Sequence, residues 1–177
     1  EKKVYKKYAS VYEENTDFVG WLYIYGTRID YPVMYTPENE EYYIHRNFQG
    51  GYSAAGTLFA AANCSPTGKV SDNVIIYGHN MKAGTMFHDL LKYGDEDFYK
   101  EHQTIIFDTL DGPGTYIVIA AFYTKAYPEG DTEHYNIYDF ADAGSKEKFD
   151  DYVSRVKANT PYTIEETASY GDKLLTL

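Results

Sequence analysis

Cysteine is almost missing from this 177-residue chain, which carries a single copy, Cys64. One thiol makes neither an internal disulfide nor a Cys-rich zinc centre, so a packed core has to hold the fold together. Positive charge is scarce as well. Lys and Arg total 16 against 27 Asp and Glu, for a net charge of −11, and the only arginines are Arg28, Arg46 and Arg155. That balance argues against a nucleic-acid-binding surface. No apolar run approaches the roughly 18 residues that a membrane-spanning helix needs. The sequence has no G-x-x-x-x-G-K phosphate loop, no G-x-S-x-G elbow and no H-E-x-x-H pair, which removes three common chemistries. No signal or transit peptide opens the chain. It begins directly on EKKVYKKYASVYEEN, as a mature fragment would, and an upstream anchor in the natural precursor stays open.

What is abundant is tyrosine: 21 copies, beside 9 Phe and 1 Trp. Aromatics favour strands and amphipathic surfaces, so the composition leans towards β structure. The chain length suits one domain, residues 1–177. Val4, Tyr8, Val11 and Tyr12 fall at helical spacing and predict a helix over about residues 2–13. WLYIY and IDYPVM read as a strand pair around Gly26-Thr27-Arg28, with Pro32 pushing the second strand towards a sheet edge. A short helical turn is expected over 38–45. Residues 56–60 and 73–77 are short apolar strands. A helix is expected from Thr85, as its cap, to about Tyr93. Residues 104–108 and 116–123 form a hairpin across Gly112-Pro113-Gly114. Residues 124–144 are a long polar loop of the kind that often carries binding function. A helix follows from near Ser145 to the Asn159-Thr160-Pro161 stop, and KLLTL closes the chain as a strand. Short strands with interspersed helices give an α+β fold or a decorated β-barrel.

Among the five histidines, His79 has the best setting for chemistry. It follows the buried strand NVIIYG and precedes the loop Asn80-Met81-Lys82-Ala83-Gly84. A residue at the end of a buried strand is rigidly placed yet open to solvent, which suits a general acid or base. Cys64 invites pairing with His79, but the only basic residue near it is Lys69, and the reading of an inert loop thiol outweighs that of a nucleophile. Met86 and Phe87 share helical spacing with Leu90 and read as core. The acidic stretch 89–101 reads as a solvated face. No metal constellation or EF-hand-like spacing is present, so no metal or cofactor is expected.

NVIIYGHNMKAGTMFHDLLKY (residues 73–93) resembles the histidine region of class B sortases. The resemblance continues, in order, through DFVGWLYIYGTRIDYPVM, YYIHRNFQGGYSAAGTLFAAANC, FYKEHQTIIFDT and the terminal KLLTL. It implies a mostly β fold: a barrel of about eight strands with an N-terminal helix and another helix in the long insert before the penultimate strand. It also implies a cysteine transpeptidase at the extracellular face of the Gram-positive cell membrane. Such an enzyme cleaves a C-terminal sorting signal after Thr and joins the protein to a peptidoglycan cross-bridge amine or, in some members, a pilin Lys. By motif, His79 takes the family's histidine role. YNIYDF loosely matches the insert's substrate-contacting segment and makes Tyr135 a substrate-binding candidate.

The family's Cys is expected two or three residues after Leu177, in a Ser/Thr-x-Cys, and its Arg on the following strand. Cys64 and the three arginines do not match those positions, so the chain as written is expected to be inactive. A non-catalytic sortase-like module that binds peptides or cell-wall fragments is the competing reading. Sequencing the ten codons after Leu177 is expected to reveal Ser/Thr-x-Cys, and a stop codon there would remove the enzyme reading for this product.

Overall fold

The computed structural model describes residues 4–128 and 130–177. Seven strands carry the fold: β1 (Phe18–Tyr23), β2 (Asp30–Met34), β3 (Leu58–Ala60), β4 (Asn73–Tyr77), β5 (Thr104–Thr109), β6 (Thr115–Ile117) and β7 (Leu174–Thr176). They form one sheet in the order β6-β5-β1-β2-β3-β4-β7. Pairing is antiparallel except for β2 with β3 and β4 with β7, which are parallel. Residues of β4, β6 and β7 line one groove of about 1110 Å³. The sheet is therefore curled into a nearly closed barrel, with its two edge strands facing each other across that groove. Leu22, Val33, Leu58, Ile76 and Phe107 meet in the main core, each at most 1% exposed.

The predicted β1–β2 pair forms as an antiparallel ladder from Tyr23 opposite Asp30 to Phe18 opposite Met34. Pro32 does not push β2 to an edge, because β2 lies between β1 and β3. The reason is the register of the pairing. The β3 ladder begins at Val33 opposite Leu58, one residue beyond the proline, so the missing N–H costs that ladder nothing.

The N-terminal helix is shorter than the spacing implied. A 3₁₀ turn at Lys6–Tyr8 leads into α1 (Ala9–Glu14), and residues 2 and 3 lie outside the described residues. Tyr8 packs with Phe18, Met34, Tyr43 and Leu110 in a second core.

Thr85 does not cap a helix over 85–93. Met86 adopts φ +57°, a left-handed conformation that a helix cannot contain. The observed element is a 3₁₀ helix at His88–Gly94 with no side-chain cap. Nor is 89–101 merely a solvated face. Asp89 is buried, accepts the Arg28 N–H at 2.7 Å and pairs with Lys92 at 3.0 Å. The same stretch contains α2 (Glu96–Glu101), whose cap Asp95 accepts from the Asp97 N–H.

The hairpin of β5 and β6 forms, but β6 stops at Ile117. α3 (Lys146–Asn159) matches its prediction at both ends, with the Ser145 side chain accepting from the Lys148 N–H. Its buried face (Phe149, Tyr152, Val153, Val156) packs with Leu174 of β7, as expected of a helix with one apolar stripe. Among the described residues, no helix is long and apolar enough to cross a membrane.

Asp108 of β5 ties the N-terminal segment to the barrel. Its carboxylate accepts from Lys7 Nζ at 2.7 Å, the Tyr8 hydroxyl at 3.0 Å and the Gly114 N–H at 3.2 Å. Burial alone would raise its carboxyl, but these donors outweigh burial and hold it below the usual value. A depressed carboxyl stabilises the fold above the unfolded-state value of about 3.9, and that contribution fades as pH falls through the folded value. Asp108→Asn is therefore expected to cost about 1–3 kcal/mol at pH 7. The gap to the wild type should narrow as the pH falls below about 4. Urea denaturation of both proteins at the two pH values measures this.

Candidate functional site

His79 leaves β4 two residues after the strand's last ladder position, Tyr77. β4 is hydrogen-bonded to β3 on one side and to β7 on the other, so the strand that delivers the imidazole is held at both edges. Gly78 is required just before it. A Cβ there would lie 2.3 Å from Leu58 Cδ2 and 2.9 Å from Phe87 Cδ2. The absent side chain lets those two residues close over the backbone. Beyond the ring, the His79 carbonyl accepts the Phe87 N–H at 2.8 Å, an Asn80–Met86 bridge folds the loop back, and His88 Nδ1 meets Asn80 Oδ1 at 2.8 Å. The left-handed Met86 is secured by the Tyr31 hydroxyl, which accepts its N–H at 3.0 Å.

The ring itself is held by a second loop. His79 Nδ1 lies 3.1 Å from the Ala55 carbonyl. A carbonyl only accepts, so Nδ1 carries the proton of the neutral ring and Nε2 is left to receive or give one. His45, at the start of the same loop, stacks on His79 with ring centroids 5.2 Å apart and planes 29° from parallel. His79 is half-buried and His45 exposed.

The groove next to His79 is lined by Gly78, Asn80, Phe87 and Tyr138, among others. Tyr77 and Tyr138 bring their rings to 5.9 Å, and burial pushes the Tyr77 hydroxyl up to about 12, helped by the negative charge of Glu40. From the insert, the structure thus brings Tyr138 to β4. Tyr135 packs on α3, with its ring 6.4 Å from that of Tyr152 and the Arg155 guanidinium 4.6 Å from its centroid. Both tyrosines belong to YNIYDF. The sequence match pointed to Tyr135 and passed over Tyr138, which the 3₁₀ turn at Ile137–Asp139 carries, with Asn136 accepting the Tyr138 N–H.

The three arginines have local partners. Arg28 donates to the Ala83 carbonyl, Arg46 to the Tyr42 carbonyl, and Arg155 pairs with Asp151. Among the described residues, no group of three or more His, Cys, Asp or Glu side chains is arranged to hold a metal ion.

Cys64 is not brought to His79. The residue is 3% exposed, and its sulfur points to the carbonyls of Ala61 at 3.2 Å and Ile75 at 4.0 Å. Ile75 precedes His79 by four residues, up to about 13 Å at ~3.3 Å per extended residue. Burial pushes the Cys64 thiol up, away from the reactive thiolate. A thiol-directed reagent is therefore expected to leave Cys64 unmodified in the native protein and to label it fully in denaturant. Mass spectrometry of the two samples reads the difference.

No family model matches the chain. Sortase B of Listeria monocytogenes is 39% identical over 165 residues, which is 92% of this chain and 62% of that protein. The chain thus spans less than two thirds of that relative's length. A solved structure of sortase B from the same organism superposes with a TM-score of 0.80 at 33% identity, covering 93% of this chain and 89% of that one. The Staphylococcus aureus sortase B–substrate complex shares the fold, with a TM-score of 0.86 at 24% identity over 98% of this chain and 76% of that one. With the nearly closed seven-stranded barrel, the Tyr-Gly-His at the end of β4 and the likeness to the Listeria proteins in agreement, this chain belongs to the class B sortase family.

Proposed function

We propose that this domain is the scaffold and acid–base half of a cysteine transpeptidase, acting on secreted proteins at the extracellular face of a Gram-positive cell membrane. The observation that carries the reading is the register of β4 and β7. The two strands run parallel, with Asn73 opposite Leu174, Val74 opposite Leu175 and Ile75 opposite Thr176. With the same offset, the residue beside His79 is the third after Leu177. Directly paired residues of parallel strands point to the same face, and neighbouring strands lie about 4.8 Å apart. A cysteine at that place would hold its sulfur within reach of the imidazole, which Cys64 does not.

In this reading the cycle starts from a cysteine thiolate and a His79 ring protonated on both nitrogens, and the thiolate attacks the carbonyl carbon after the Thr of a sorting signal, forming a C–S bond and a tetrahedral oxyanion. His79 Nε2 gives its proton to the departing amine nitrogen as the C–N bond breaks, leaving a thioester. An incoming amine, from a peptidoglycan cross-bridge or a pilin Lys, then attacks the same carbon. His79 takes the amine proton as the C–S bond breaks, and the thiolate is restored. The family's Arg, on the strand after the Cys, would stabilise the oxyanion. That strand would lie in the groove between β6 and β7. The sorting signal would approach past the insert, with Tyr138 facing the groove and Tyr135 behind it.

The test is labelling of the full-length protein with a thiol-directed sorting-signal analogue. An adduct on a cysteine after Leu177, retained in Cys64→Ala, is the expected result. An adduct on Cys64, or peptide binding with no adduct at all, overturns the reading; the latter points to a binding module.

A further inference from the structure

The loop of residues 43–57 touches His79 at both of its ends: His45 on the ring face and Ala55 at the ring edge. The loop is unusually constrained for a surface segment. His45 O accepts the Ser53 N–H at 3.0 Å, and Arg46 bridges to Tyr52. The Asn47 side chain accepts the N–H groups of Gln49 and Gly51 and closes the turn. Thr57 returns to the start of the loop, donating its hydroxyl to the Arg46 carbonyl at 2.8 Å and its N–H to the Tyr43 carbonyl at 3.0 Å. Gly56 makes this closure possible. It sits at φ +64°, and a Cβ would come within 2.4 Å of the Ile44 carbonyl oxygen.

A bond at Nδ1 fixes one edge of an imidazole but leaves the ring free to rock about that contact, and rocking that breaks the bond frees the ring to change tautomer. A second ring stacked on the face removes the rocking freedom. We propose that His45 is a positioning residue for His79, holding the ring so that the Ala55 carbonyl keeps the proton on Nδ1 and Nε2 stays aimed at the reacting atoms. The proposal rests on the acid–base role given to His79 above, but its geometric half does not need turnover to be tested.

His45→Ala removes the stacked ring, and His45→Phe keeps a plate of similar shape without nitrogen atoms. Long-range ¹H–¹⁵N spectra of the His79 ring, recorded on the protein at alkaline pH, report the tautomer directly. The wild type and His45→Phe are expected to show Nδ1 as the protonated nitrogen, with His45→Ala averaging towards a mixture of both forms. In the full-length protein, His45→Ala is expected to lower kcat for a sorting-signal peptide about tenfold with KM unchanged, and His45→Phe to restore it. A His79 spectrum unaltered in His45→Ala, or no recovery by His45→Phe, overturns the proposal. If the wild type turns over no peptide, the transpeptidase reading fails by itself, while the spectra still decide whether His45 holds the ring.

Discussion

The geometry of the site depends on one constraint, the way the end of β4 is boxed in. The strand has hydrogen-bonded neighbours on both edges, and Leu58 and Phe87 close over Gly78 in space that any side chain would fill. A backbone packed to this density moves little without cost. His79 therefore emerges from a strand paired on both edges and tightly packed at its end, into a half-buried position between two loops. One loop fixes its backbone through Phe87, and the other fixes its ring through Ala55 and His45. The acid–base role proposed for this imidazole requires that it be oriented first. Here the orientation comes from main-chain groups and a neighbouring ring.

That choice separates the electrostatics of the site from those of the frame. A carboxylate partner would orient an imidazole and also stabilise its charged form; a carbonyl orients it without adding a charge. The buried carboxylates do structural work elsewhere. Asp108 anchors the N-terminal segment, and Asp89 joins the β1–β2 connection to the 3₁₀ helix after the His79 loop. Each is saturated with donors, as a buried charge must be. The single thiol follows the same logic in reverse: enclosed by apolar neighbours, Cys64 behaves as a small core residue.

Strand positions and α3 were legible in the sequence because local signals and tertiary demands agreed there. The Ser145 cap, the apolar stripe and the Pro161 stop all point to one helix, and that helix is present. Where they disagreed, the long-range contact won. The periodicity of Met86, Phe87 and Leu90 resembles a helix, yet the Tyr31 hydroxyl and the bridge to Asn80 hold Met86 in a left-handed conformation. Pro32 is tolerated inside the sheet because β3 starts pairing one residue later, which no local rule reports. His79 was visible as a residue at the end of a buried strand. Its partners were not, because His45 and Ala55 lie 34 and 24 positions away, and only the closed loop of residues 43–57 brings them to the ring.

The central claim is that His79 supplies the proton to the leaving amine. The most direct measurement is the rate of acylation of full-length wild type and His79→Ala by two sorting-signal substrates. One carries the natural amide and the other a nitrophenyl ester, whose leaving group departs without a proton. The account predicts a loss of about 10²–10⁴-fold for the amide in His79→Ala, with the ester largely spared. An equal loss for both substrates would contradict it.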